Sequence, residues 1–353
     1  MVKEYYCIGI MSGTSLDGVD LVYVKLSAAK KYDYQIITSL TKEYSENWKT
    51  LLKEAFDKSP EDLEELDHLY GSYLGELVIE FVKQNAIAKV DFVASHGHTI
   101  FHKPEQGFTL QIGSGKEISR VSNFNVVCDF RSQDVALGGQ GAPLVPIGDA
   151  LLFSDFDYCL NLGGFANVSF VDEGVRKAFD ICPVNIVLNH YTMQVGKAYD
   201  DKGQLALKGK VCKALLKELN TDPFYELTHP KSLGYEFVKQ NVLPLVDSYN
   251  LEINDVLSTV VEHIAIQMSY VLNKKTKATA LVTGGGVYNE FLLERIRALS
   301  SVELIVPSTE LIEFKEALIF AFLGLLKING QINCLKSVTG ASKDHSSGRI
   351  FRI

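Results

Sequence analysis

Three glycine-bearing turns give the first sign of chemistry. Each follows a short β-rich run: Gly13-Thr14-Ser15-Leu16-Asp17-Gly18-Val19-Asp20 after Tyr5–Met11, Gly163-Gly164-Phe165-Ala166-Asn167 after Tyr158–Leu162, and Gly284-Gly285-Gly286 after Thr279–Val282. Peptide N–H groups at such strand ends find no partner in the sheet and attract anions. Neither the G-x-G-x-x-G nor the G-x-x-x-x-G-K-[ST] pattern occurs, so phosphates held here are held by other means. Asp17 and Asp20 flank Gly18. Such carboxylates suit Mg2+ bound through water beside a triphosphate, although a lone hairpin aspartate is more often a turn former. Asp180, just ahead of Pro183, reads on its own as the N-cap of the helix that follows.

These residues need a scaffold, and 353 residues are enough for two domains with substantial cores. Hydrophobic residues make up 46% and charged residues 22%, an ordinary globular mix that sets extended disorder aside. Lys plus Arg number 35 against 43 Asp plus Glu, and the net charge of −8 is repelled by phosphate backbones and anionic lipid. Neither nucleic acid nor a membrane is therefore expected as a partner. The longest apolar run, Ala317 to Leu326, falls well short of the roughly 20 residues a spanning helix needs. The first residues are too short and glycine-cut for a signal segment, so a cytoplasmic location is expected. The cysteines, Cys7, Cys128, Cys159, Cys182, Cys212 and Cys334, contain no C-x-x-C and read as buried thiols. A zinc site is not expected from them, because zinc needs clustered ligands.

Apolar residues at three and four spacing predict helices over 48–56, 63–85, 186–195, 211–219, 235–240, 254–272, 289–299 and 314–328, with Asn254 a candidate cap. Strands are expected at 19–26, 91–95, 126–129 and 168–171 besides those named above. Strands alternating with long helices make an α/β protein. The strand, glycine turn, strand unit occurs near residue 13 and again near residue 163, so the chain looks duplicated, one hairpin opening each half. The glycine-rich stretch from Leu137 to Pro143 is the candidate junction and hinge.

The run from Ile8 to Asp20 resembles the opening signature of anhydro-N-acetylmuramic acid kinases, members of the actin, hexokinase and Hsp70 superfamily. Ser95-His96-Gly97-His98-Thr99, Thr109 to Gly113, Asp129-Phe130-Arg131, Gly138 to Pro146, Asn161 to Asn167, Gly284 to Asn289 and Ser337 to Ala341 resemble further family blocks in family order. The resemblance implies a duplicated two-lobed actin-like ATPase (ribonuclease H-like) α/β fold, each lobe on a five-stranded sheet, with a central cleft. One lobe would hold 1–135 plus about 336–353, the other 136–335. It implies ATP and Mg2+ as cofactors, an anhydro amino sugar as substrate and a homodimer. The turn from Gly13 to Asp20, with Gly163, Gly164 and Asn167, would grip phosphates, Asp17 would hold Mg2+ through water, and Gly284, Gly285 and Gly286 would approach the adenosine. Asp180 takes the general-base position, and His96, Thr99, Arg131 and Glu316 match sugar contacts. The implied reaction opens the 1,6-anhydro bond with water and phosphorylates O6.

Several residues depart from the family pattern. Cys182 and Val184 stand where glycines are usual, Asn189 and Ser114 replace aspartates, and His98 replaces a glutamine. A β-branched valine does not take positive φ without strain, so the loop after Asp180 is expected to follow another path. That departure gives the alternative of a weakened relative acting as a sugar sensor. His96-Gly97-His98, with His102 nearby, also resembles the paired-histidine metal site of amidohydrolases, which makes a metal-dependent hydrolase the remaining rival.

Overall fold

A computed structural model describes residues 3–13, 16–28 and 31–353. Thr14 and Ser15 of the first turn lie outside the described residues. The chain divides into two units, Met1–Leu152 with Phe314–Ile353, and Phe153–Glu313.

In the first unit, β1 (Lys3–Ser12), β2 (Gly18–Ala28) and β3 (Tyr32–Glu43) form an antiparallel meander. β4 (Phe92–Ser95) lies parallel to β1, and β7 (Val126–Cys128) parallel to β4. Every residue of β4 and β7 is buried, as expected of parallel strands covered on both faces. The C-terminal β13 (Arg349–Phe351) adds an antiparallel edge, giving the order β13-β7-β4-β1-β2-β3. A separate ribbon pairs β5 (His98–Lys103) with β6 (Phe108–Ile112). The helix Pro60–Gln84, capped by Ser59 and started by a proline, buries Leu66, Tyr70, Leu74, Val78 and Phe81 into this unit's core.

The second unit repeats the plan. β8 (Tyr158–Leu162), β9 (Phe165–Asp172) and β10 (Val175–Pro183) form the antiparallel meander. β11 (Thr279–Thr283) lies parallel to β8, and β12 (Glu303–Ile305) parallel to β11. The order β10-β9-β8-β11-β12 matches that of the first sheet without its extra edge, so the duplication expected from the two hairpins is a property of the backbone. The helix Ile253–Leu272 carries much of the core, with Leu257, Val261, Ile264, Ala265, Met268 and Leu272 fully buried.

Four expectations need correcting. The unit boundaries fall at Leu152/Phe153 and Glu313/Phe314, not near 135 and 336, because the helix Thr309–Ile328 packs on the first sheet through its part beyond Phe314. A Cβ on Gly9 would come within 3.0 Å of Ala321 Cβ and closer still to the Ala317 backbone, so β1 and this helix touch main chain to main chain. The glycine stretch Leu137 to Pro143 lies inside the first unit and is pinned, since the buried Asp134 carboxylate accepts from Gly141 N at 2.7 Å. The cap of Ile253–Leu272 is Glu252, which puts Asn254 inside the helix. Asp180 is not an N-cap: it lies in β10, and Val184 precedes the helix Asn185–Met193.

Candidate functional site

In the first unit, the β1–β2 turn brings Gly13, Leu16, Asp17, Gly18, Val19 and Asp20 to one end of the sheet. Leu16 takes a left-handed φ of 60° and donates to Gly13 O at 3.4 Å, which closes the turn. Asp17 is exposed, Val19 is buried, and Asp20 accepts from Thr41 Oγ1 at 2.6 Å on the adjacent strand. Beneath the turn, buried Ser12 joins a chain of polar groups. Its Oγ lies 2.5 Å from Tyr44 OH and 2.9 Å from His98 Nδ1, and Tyr44 OH lies 2.5 Å from Tyr70 OH. Burial pushes the His98 imidazole down to about 4, so the ring is neutral.

His96 and Arg131 meet where β4 and β7 end. Arg131 donates from Nε to His96 Nε2 at 2.9 Å and from Nη1 to Gly141 O at 2.7 Å. His96 Nδ1 donates to Gly97 O at 2.9 Å. Burial, and next the Arg131 charge, hold His96 well below its ordinary range. Burial also lowers Arg131 to about 10, while Glu316 pulls it back up. Glu316 keeps an exposed surface, but loss of hydration raises its carboxyl, with Arg131 as the chief opposing charge. The residue before it, Lys315, forms a buried ion pair with Asp149 at 2.8 Å and so fixes this part of the helix. Thr99 accepts from Gln111 Nε2 at 3.3 Å. A cleft of about 230 Å³ in this unit is bordered by His96 but not by Thr99, Arg131 or Glu316.

His96 has no ring nitrogen left for a metal, so the paired-histidine site is not formed. Both ring nitrogens of His96 are engaged, His98 Nδ1 is paired with Ser12, and His102 Nδ1 lies 3.3 Å from Thr109 Oγ1. The three histidines belong to no potential metal-binding cluster among the described residues.

In the second unit, the other two glycine turns are adjacent. Gly163 O accepts from Asn185 N at 3.2 Å, and Gly164 O accepts from Val184 N at 2.8 Å, so the β8–β9 turn rests on the start of the helix Asn185–Met193. Gly284, at φ +84°, sits so close that a Cβ would lie 2.8 Å from the Leu162 carbonyl carbon. Gly286 likewise faces Leu162, and Gly285 is the open member, 3.8 Å from Asn185 Nδ2.

Register then lines up a polar row. Thr283 pairs with Asn161, Asn161 with Asn167, and Asn167 with Asp180. Directly paired residues share a face, so four polar side chains cross four strands beside the two glycine turns. Asp180 Oδ2 accepts from Leu233 N at 2.8 Å, and its backbone N donates to Lys231 O at 3.1 Å. Burial raises the Asp180 carboxyl, partly offset by the Leu233 N–H. The bulge between Asp180 and Cys182 and the φ of −127° at Val184 carry the loop without left-handed backbone. Thr283 has no signal in the sequence and Asn161 enters there only as part of a family block, because a cross-strand register leaves no spacing signal along the chain.

Two copies of one strand order, each opened by a glycine-turned hairpin, define a duplicated actin-like, ribonuclease H-like fold. Residues 5–353 match the family model described as anhydro-N-acetylmuramic acid kinase, and the chain belongs to that family. A relative of that name from Shewanella denitrificans is 34% identical over 362 residues, covering 97% of each chain. Another from Haemophilus influenzae is 33% identical over 382 residues, covering 99% of this chain and 98% of its own. Among the described residues no helix is long and apolar enough to cross a membrane.

Proposed function

We propose that the chain uses ATP to open 1,6-anhydro-N-acetylmuramic acid with water and phosphorylate it at O6, giving N-acetylmuramic acid 6-phosphate, a step in cell-wall sugar recycling. Family membership over residues 5–353 supports the reaction class. The observation that carries the mechanism is Asp180. One carboxylate oxygen is held by Leu233 N, the other makes no hydrogen bond among the described residues, and burial raises its basicity.

Asp180 removes a proton from water as the water oxygen bonds to C1 and the C1–O6 bond breaks. The electron pair left on O6 forms the bond to the γ-phosphorus, whose bond to the bridging oxygen breaks to release ADP. Such transfer depends on positioning and charge neutralisation more than on covalent help. In the first unit, Arg131 supplies a cation for an anionic group of the sugar, Glu316 accepts from its hydroxyls, and His96 and Thr99 line the same subsite. The turn from Gly13 to Asp20 offers peptide N–H groups to phosphate. In the second unit, Gly163, Gly164 and Asn167 do the same, and Gly284, Gly285 and Gly286 leave room for the nucleoside. Asp17 and Asp20 present oxygen donors only, the kind Mg2+ takes, and would hold it through water, where it would neutralise triphosphate charge.

The test is incubation with ATP, Mg2+ and the anhydro sugar, followed by mass detection of a product that has gained one water and one phosphoryl group. A product that is opened but not phosphorylated, or no product at all, defeats the proposal. The same reading includes a homodimer in the cytoplasm, and sedimentation velocity tests the dimer.

A further inference from the structure

Where the C-terminal segment meets the short helix Ser132–Ala136, three ligand-type side chains converge: Asp134 Oδ1, Cys334 Sγ and His345 Nε2 lie within 4.8 Å of one another, all buried. Cys334 and His345 oppose each other in an antiparallel bridge, with Cys334 N donating to His345 O at 3.1 Å and His345 N to Cys334 O at 3.2 Å. Opposed residues present their side chains on one face. Cys334 Sγ is 3.0 Å from Asp134 Oδ1, and His345 Nε2 is 3.6 Å from the same oxygen.

The unresolved demand is at His345. Its Nδ1 donates to Lys343 O at 3.1 Å, so in the neutral ring Nε2 carries the lone pair. That nitrogen is buried and has no hydrogen-bond partner. A nitrogen lone pair facing a carboxylate oxygen is repulsive unless a cation, proton or metal, lies between them. Without a metal the Cys334 thiol keeps its proton and donates it to Asp134 Oδ1.

We propose that Asp134, Cys334 and His345 form a binding site for a zinc-class divalent cation, with the fourth position taken by water or by the Thr339 hydroxyl, which in this structure donates to Asp134 Oδ1 at 2.7 Å. One nitrogen, one sulfur and one oxygen are donors zinc takes, whereas Mg2+ and Ca2+ take oxygen. Binding forms metal–sulfur, metal–nitrogen and metal–oxygen bonds, and the thiol proton leaves to solvent with no change of oxidation state. The site reaches the proposed sugar residues through short links. Asp134 Oδ2 accepts from Gly141 N at 2.7 Å, and Gly141 O accepts from Arg131 Nη1 at 2.7 Å. A bound cation therefore stiffens the loop on which Arg131 leans. Sequence spacing pointed away from zinc because Asp134 and Cys334 are 200 residues apart.

The test uses the full chain, stripped with a chelator and titrated with Co2+ and then Zn2+. The site predicts one Co2+ per chain with a thiolate-to-cobalt charge-transfer band, displacement by Zn2+ with proton release, and a rise in melting temperature with Zn2+. Cys334→Ser removes the band, and His345→Gln weakens Co2+ binding by about tenfold or more. No band and no Zn2+-dependent melting shift in the unsubstituted chain overturn the proposal. So does a band that survives Cys334→Ser, or a His345 ring that NMR finds protonated at neutral pH with Zn2+ present. Should Cys334→Ser not fold, the spectrum of the unsubstituted chain and His345→Gln decide.

Discussion

Arg131 donates through Nε to Nε2 of His96 at 2.9 Å, and this contact settles the state of the imidazole. An acceptor at Nε2 and a donor at Nδ1 together require the neutral tautomer, so His96 offers no positive charge to a substrate and Arg131 is the cation of the pair. Arg131 spans His96 and Gly141 at once.

A lysine has no fork with which to keep both contacts. Arg131→Lys is expected to raise the KM for the anhydro sugar by about tenfold or more, the scale of one lost charge-assisted hydrogen bond. The KM for ATP should change little. Initial rates with each substrate varied in turn check this, and an equal change in both would remove Arg131 from the sugar subsite.

Asp180→Asn is expected to lower turnover by about 10²–10⁴-fold, the usual range for loss of a general base, with nucleotide affinity by calorimetry within a few-fold. Burial raises the Asp180 carboxyl, so the acid limb of the pH–rate profile lies above the ordinary aspartate range, with activity lost as pH falls through it. The same raised value means ionisation costs folding stability as pH rises, so the asparagine variant should melt no lower than the parent at neutral pH. A variant with full turnover would clear Asp180 of any catalytic role.

Much of this arrangement was legible in the chain because it is local. The two hairpins announced the duplication through their glycines, and the helix Asn289 caps was expected within a residue of where it starts. β3 was missed although Tyr32, Tyr34, Ile36, Thr38 and Leu40 alternate along it. The strand is half-exposed throughout, so no apolar run marks it. What sequence could not show is juxtaposition across long separations. The Lys315–Asp149 pair, the row from Thr283 to Asp180, and the Asp134–Cys334 contact exist only because sheet order and helix docking bring distant segments together.

His98, buried against Ser12, makes the protein acid-sensitive. Its folded-state value of about 4, against about 6.5 unfolded, means the unfolded chain binds the extra proton between those limits. Stability is therefore full above about pH 6.5 and falls as pH drops towards 4, by about 3 kcal/mol for this one group. His98→Gln, which still offers Ser12 a partner, should flatten that part of the profile by about one proton. Urea denaturation over a pH series measures it, and an unchanged slope would mean the other buried histidines carry the effect.

The triple-glycine turn allows the sharpest contrast, because its members differ in what a side chain would meet. Gly284 combines φ +84° with neighbours that cannot yield, since a Cβ there runs into the Asn161 amide oxygen and the Leu162 backbone. Left-handed backbone alone costs an alanine about 1–2 kcal/mol, and displacing Leu162 would shift the β8–β9 turn proposed to hold phosphate. Gly285 meets nothing nearer than 3.8 Å and has no left-handed φ. Gly284→Ala should therefore lose at least about 2 kcal/mol in urea denaturation and weaken ATP binding strongly, whereas Gly285→Ala should keep parental stability. If ATP affinity also falls in Gly285→Ala, that loss comes from a methyl group standing where the nucleoside enters, because the fold has given it room. If instead both variants bind ATP as the parent does, the turn contributes to the fold alone and the nucleoside lies elsewhere.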